Sequence, residues 1–425
     1  MNIYMHWSEF TAVGYYRILQ AAKFITRQGL ANIKMLPESC NFLPLEKKDR
    51  NEYGSWEEVI NWADIFVMQR RETYAQFALM NAIQNNYHKP IVYELDDDLI
   101  NIDRRHPQYE THRLKSRGEV FTTITVAESE LWKYEKDVTK IVKCLPHMPR
   151  DGYVDLVYMR GFDCGYLNRE AIQDMFALTV TTDTLKKLYS KLNNNIYVLP
   201  NCIDFELWDK LPPVRDKRKV IIGWAGGHQH IKDFDLLCPI LDQVLKKYPN
   251  ACFHYCGTDN LNLRWIRRNY TTQIRRIAKR SKGIGDWPDK YAQWNFDIGL
   301  APLWNNKFNN GKSNLKYLEN AARRIPTVAS NLDPYQCIKQ GETGFKCNTT
   351  EEWVEALSKL IEGKDLRKRM GQNAYDHVKA DYNAIDNAPK YMAVYNEILS
   401  KFKGGLNAEK DRIEDEKLVL VPGMR

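Results

Sequence analysis

The sequence has no run of apolar residues long enough to span a bilayer. Its opening, MNIYMHWSEF, lacks the apolar core of a secretory leader. Cysteine is sparse and scattered: nine residues, an odd number, with no Cys-x-x-Cys pair. That argues against a disulfide framework and a thiolate zinc site and fits reduced thiols. The expectation is a soluble cytoplasmic protein, with attachment to a membrane surface left open. A surplus of one charge sign is nearly missing too. There are 62 Lys and Arg against 54 Asp and Glu, a net +8 over 425 residues. Such an excess serves solubility, or marks an anionic partner. What is present is apolar material. Hydrophobic residues make up 44% and aromatic residues 12%, which excludes global disorder and allows two or three domains.

The chain is organised around residues 296–331, FDIGLAPLWNNKFNNGKSNLKYLENAARRIPTVASN. Residues 296–303 have the length and apolarity of a buried strand. A polar loop follows at 304–312. Ser313 stands at an N-cap position, and Leu315, Leu318, Ala321 and Ala322 fall at helical spacing. Pro326 stops the helix and 327–329 restart a strand. Strand, loop, helix, strand is one unit of a parallel sheet, whose ligands bind at the strand carboxyl ends. Asn309, Asn310, Gly311, Lys312, Ser313 and Asn314 lie at that end. Free N–H groups, close backbone approach at Gly311 and the charge of Lys312 suit an anion such as a diphosphate. Glu319 is about two turns further along, in reach of what continues past the phosphates.

The run GKSNLKYLENAARRIPTVAS resembles the donor site of retaining glycosyltransferases of family four. In that family two Glu residues eight positions apart flank a nucleotide-sugar. Glu319 matches the second, which holds the ribose hydroxyls; the first falls on Gly311. The resemblance runs over about 219–382, and more weakly through the first half. It implies the GT-B fold, an α/β arrangement of two Rossmann-like doubly wound domains facing a cleft. It implies retention, a nucleotide-sugar co-substrate, no cofactor and no essential metal. Gly14, in the first strand–helix turn, matches where that family lets substrate approach the N-terminal domain.

Residues 1–210 read as the first domain, with an acceptor-specific, partly irregular insertion over 100–170. Strands are expected at 2–7, 64–69, 90–95, 120–128, 175–182 and 196–199, with helices between. The third of these strands runs into Asp96, Asp97 and Asp98. Acids after a strand often cap the next helix. Asp96-x-Asp98 also has the form of a metal-binding motif of the other major glycosyltransferase fold, which the GT-B resemblance disfavours. The preferred functional reading is acceptor chemistry, with Asp96 or Asp97 taking the hydroxyl proton, since adjacent carboxylates raise each other's pKa. Lys312 completes the expected catalytic set.

The second domain is expected over 211–385, after a Pro-rich hinge at 211–218. In its first loop Gly226 and Gly227 make room for a diphosphate, and His230 and Lys232 offer cationic or hydrogen-bonding contacts. The resemblance implies that the loop 283–287 lies over the nucleotide base. Residues 386–403 read as a terminal helix, which the GT-B resemblance implies crosses back to the first domain, and 404–425 as a charged, loose tail. Two basic segments remain, 104–117 and 264–282, the second with eight Lys or Arg. Such a run is usually a solvated helix face. The sharper reading is phosphate contact through Arg104, Arg105, Arg267, Arg268, Arg275 and Arg276, with Trp265 and Tyr270 interleaved. It points to a hydroxylated base of phage DNA as acceptor, in the host cytoplasm; the alternatives are an envelope saccharide or lipid-linked glycan. From another class, Gly311 in place of the acid suits a non-catalytic nucleotide-sugar binding module.

Overall fold

The structure is a computed structural model. It describes residues 1–7, 12–35, 56–70, 74–102, 121–127, 141–144, 153–159, 164–212, 218–227, 230, 232–257, 261–277 and 287–419. Arg104 and Arg105 lie outside the described residues.

Two six-stranded sheets carry the molecule. The first contains β1 (Asn2–His6), β2 (Asn32–Lys34), β3 (Ile65–Gln69) and β4 (Ile91–Leu95). A separate antiparallel sheet follows, with β5 (Phe121–Ala127), β6 (Ile141–Cys144) and β7 (Tyr153–Met159) in the order β5-β7-β6. The first sheet is completed by β8 (Ala177–Val180) and β9 (Ile196–Val198), in the order β2-β1-β3-β4-β8-β9. All its pairings are parallel. Every residue of β3, β4 and β8 is buried, as expected of strands covered on both faces by helices.

The second sheet contains β10 (Val220–Ala225), β11 (Ala251–Cys256), β12 (Ile274–Arg276), β13 (Ile298–Ala301), β14 (Thr327–Ser330) and β15 (Gly344–Cys347). Its order is β12-β11-β10-β13-β14-β15, again parallel throughout. Strand order reverses between β10 and β13. Crevices for ligands open at such a switch point, beyond the strand carboxyl ends.

The helix Ala384–Val419 leaves the second sheet and returns to the first. Ala388, Tyr391, Tyr395 and Ile398 join one buried cluster with Ile3, Met5, Phe24, Ile65 and Val92. The crossing itself is hydrogen-bonded: Ile203 N–H donates to Tyr382 O at 2.8 Å and Ala384 N–H donates to Ile203 O at 2.9 Å.

Two expectations are corrected. Residues 404–419 continue the last helix rather than forming a loose tail, because Glu409, Lys410, Arg412, Glu414 and Glu416 are good helix formers and the helix is already nucleated upstream. The basic segment after residue 264 is no single helix. A helix spans Leu261–Asn269, and Arg275 and Arg276 lie on the edge strand β12, where Ile274 is the buried anchor. Within 100–170, expected to be partly irregular, lie β5, β6 and β7.

Candidate functional site

The helix Leu315–Ala322 begins at the carboxyl end of β13, beside the turn that leaves β10. Its N-cap residue is Asn314, without a side-chain capping bond. Ser313, expected to cap it, instead accepts a hydrogen bond on Oγ from Asn201 Nδ2 at 2.9 Å. Asn314 Nδ2 reaches Cys337 Sγ at 3.4 Å. The preceding loop is stiff for its length. Asn306 caps the short helix Lys307–Asn310, and Asn309 Nδ2 donates to Trp304 O at 2.8 Å.

Glu319 is buried. Trp287 Nε1 donates to its Oε1 at 2.8 Å, and Tyr16 Oη donates to the same oxygen at 3.0 Å. Burial pushes the Glu319 carboxyl up; Lys316, Trp287 and Tyr16 oppose that rise. Trp287, expected in a loop over the base, opens the helix Trp287–Trp294, while 283–286 lie outside the described residues.

Lys316, which sequence reasoning passed over, lies beside the glycine turn. Its Nζ donates to Ala225 O at 2.7 Å and lies 5.0 Å from the Trp224 ring centroid. A Cβ on Gly226 would come within 3.0 Å of that Nζ and 2.5 Å of the Trp224 ring, so only glycine leaves the turn open. Burial pulls Lys316 down to about 8. Gly227 beside it is exposed. Lys232 holds the N-cap position of the helix Asp233–Lys247.

His230 is not the cation the spacing suggested. Its Nδ1 pairs with Asp233 Oδ2 at 2.6 Å. Burial and the charge of Lys316 pull its pKa down to about 4, so at neutral pH the ring is uncharged. Asp233 also accepts from Trp304 N at 2.8 Å, which ties this turn to the loop after β13.

Lys312 turns toward the first domain. Its Nζ is 3.5 Å from Asp97 Oδ1 and 4.4 Å from the Phe308 ring centroid. Gly311 faces the same way. A Cβ there would meet Leu185 Cδ2 at 3.0 Å and Asp98 Cβ at 3.4 Å, and Thr182 Oγ1 donates to Gly311 O at 3.3 Å. Position 311 is therefore filled by the other domain.

The three acids beyond β4 have separate fates. Asp98 Oδ1 accepts from the backbone N–H groups of Ile100 and Asn101, both at 3.0 Å, so it caps a turn. Asp97 is the partner of Lys312. Asp96 is pushed up to about 7 by burial and by Asp97, with Arg70 and Arg17 pulling the other way. Below them Arg17 and Glu94 form a buried pair, Nε to Oε1 at 2.7 Å. Arg17 also donates to Asn201 Oδ1 at 3.2 Å, so a polar chain runs from β4 to Ser313. Gly14, expected at the mouth of a loop, is a buried residue inside a helix (φ −59°, ψ −38°), because helical structure begins at Ala12. Among the described residues no group of three His, Cys, Asp or Glu is placed to hold a metal ion.

The basic residues of the second domain's edge are spread out. Arg267 donates to Tyr255 Oη at 3.1 Å and Arg276 Nε donates to Gly257 O at 3.1 Å. Arg268, Arg275 and Arg276 are exposed, as is Trp265 at 59%.

Residues 219–363 match the family described as glycosyl transferases group 1. No curated protein matches the chain. Among solved structures, Anabaena HepE in complex with UDP and glucose is similar at a TM-score of 0.56 and 11% identity, over 93% of this chain and 100% of that one. Sucrose-phosphate synthase from Thermosynechococcus elongatus is similar at a TM-score of 0.58 and 10% identity, over 94% and 100%. A mutant of S. aureus TarM in complex with fondaparinux, alpha-GlcNAc-glycerol and UDP is similar at a TM-score of 0.51 and 14% identity. That match covers 78% of this chain and 55% of TarM, so the chain spans about half of TarM's length. These likenesses give the two-domain GT-B fold. The matched segment contains the Gly226 turn, Lys316 and Glu319.

Proposed function

We propose that the protein moves a sugar from a nucleotide-sugar donor to an acceptor hydroxyl, with retention of anomeric configuration and no essential metal. The observation that carries the reading is the pairing of Lys316 with the Gly226 turn, three residues before the buried Glu319, inside the glycosyltransferase segment. In this reading the backbone of Gly226, Gly227 and 311–314 holds the donor diphosphate with Lys316 and Lys232. Positive groups fixed at the leaving diphosphate stabilise the charge that grows there. Glu319 takes the ribose hydroxyls, Lys312 sits beside the reacting centre, and Asp96 accepts the acceptor's proton. The test is a panel of nucleotide-sugars, with release of nucleoside diphosphate and the anomeric configuration of the product read by NMR. Binding without turnover makes the chain a non-catalytic module; inversion removes the retaining assignment.

For the acceptor we propose a hydroxylated base of phage DNA. Exposed Arg268, Arg275 and Arg276 support it. A saccharide or lipid-linked acceptor is the second reading, favoured by the alpha-GlcNAc-glycerol in the TarM complex. Log affinity for duplex falls by about 0.9 per decade of salt for each phosphate contact. Binding to hydroxymethylated DNA with such a slope, flattened by Arg275→Glu, supports the first; salt-independent or absent DNA binding with transfer to a glycan supports the second.

A further inference from the structure

We infer that Tyr16 and Trp287 are positioning residues for Glu319: together they hold its Oε1 and leave Oε2 to a vicinal diol of the donor. The inference rests on the reading of Glu319 as the ribose acid. It adds that one of the two supports comes from the other domain.

Both bonds end on one oxygen, at 3.0 Å from Tyr16 and 2.8 Å from Trp287. A carboxylate oxygen accepts about two hydrogen bonds, so Oε1 is saturated. Among the described residues, no hydrogen bond reaches Oε2. Tyr16 and Glu319 are both buried and lie 303 residues apart in sequence. Two donors from different elements fix the carboxyl torsion more tightly than one. They also bear on its charge. The groups that face Glu319 are Lys316 on its own helix, Tyr16 on the first domain's leading helix, Trp287 and Tyr291 on the helix Trp287–Trp294, and Tyr335 on the short turn Asp333–Tyr335. Burial favours the neutral acid; Lys316, Trp287 and Tyr16 favour the carboxylate. Sugar hydroxyls donate best to a carboxylate. Loss of either donor therefore moves Glu319 toward the protonated form, and the acid limb of donor binding moves to higher pH.

The test uses the full chain and calorimetry with UDP, GDP, ADP and CDP, followed by the tightest binder and its 2′-deoxy form from pH 5 to pH 8. Tyr16→Phe removes one hydroxyl and little volume. It is expected to melt close to wild type, to bind the nucleotide about threefold to tenfold more weakly at neutral pH, and to shift the acid limb upward. Trp287→Phe is expected to do the same. Should Glu319→Gln and the 2′-deoxy nucleotide both weaken binding while Tyr16→Phe and Trp287→Phe leave affinity and pH limb unmoved, the inference is overturned and the donor site stands. Weaker binding with an unmoved limb marks a packing effect and overturns it as well. Where Glu319→Gln changes nothing, or no nucleotide binds, the donor-site reading fails and the inference falls with it.

Discussion

Lys312 Nζ lies 3.5 Å from Asp97 Oδ1, so a cation of the second domain meets a carboxylate of the first. Their side chains are 13% and 25% exposed, and a partly screened pair of this kind contributes about 1 kcal/mol or less to stability. In the proposed reading its weight falls on function. Lys312→Ala is expected to lower turnover more than donor affinity, because a cation near developing negative charge acts most in the transition state. Asp97→Asn should lower turnover too, and the double variant should cost less than the two single effects added. Steady-state kinetics on the four proteins check this; additive effects would mean that the two groups act separately.

Gly311→Glu places an acid where the family resemblance has one. The space is already taken by Leu185 and Asp98. The expected outcome is loss of about 1–3 kcal/mol of stability from overpacking, with reduced rather than improved turnover. Thermal melts and kcat decide it; a variant as stable as wild type would show that the two domains stand apart here in solution.

Asp96 carries a pH signature. Its folded pKa is raised to about 7, against about 3.9 for an unfolded aspartate. The folded state therefore holds the proton more tightly than the unfolded chain. The sign follows: this group's contribution to stability is greatest below about pH 4 and declines as pH rises toward 7. If Asp96 is the base, kcat/KM climbs through the same upper value, since the base must be ionised. Asp96→Asn should flatten the decline and abolish transfer while donor binding persists. A pH–melting series with the pH–rate profile tests both arms.

Chelation is expected to leave transfer unchanged, because protein cations and helix N–H groups meet the diphosphate charge in the proposed site. Activity lost in EDTA and restored by manganese or magnesium would return Asp96 and Asp98 to a metal role.

The alternation of apolar runs with helical spacing made the central strands of both parallel sheets legible, though not the short edge strands β2, β12 and β15, and the stretch around Glu319 was readable because strand, loop and helix follow one another closely. Other features were not local. Lys316 was overlooked because the helix was read through its apolar positions, while its role depends on a turn about ninety residues earlier. Tyr16 meets Glu319 only through the docking of two domains, which no spacing encodes. Gly14 was misplaced because a glycine after a first strand suggests a loop, whereas the neighbouring Ala12 and Val13 already belong to helical structure. His230 was read by type alone; the deciding facts are its burial and its pairing with Asp233. The strand β12 was hidden by arginines, since an edge strand with one buried residue has little hydrophobic pattern.

The return of the Ala384–Val419 helix to the first sheet has a consequence for how the chain is made. Tyr391, Tyr395 and Ile398 fill the same buried cluster as Ile3, Met5 and Phe24. Domains usually complete their folding in the order in which the ribosome delivers them. Here the second sheet can close while the first still lacks a wall, and the N-terminal half waits for residues translated after the whole second sheet. During that interval its apolar face is open to solvent, and transiently exposed apolar surface of this kind favours aggregation of the nascent N-terminal half.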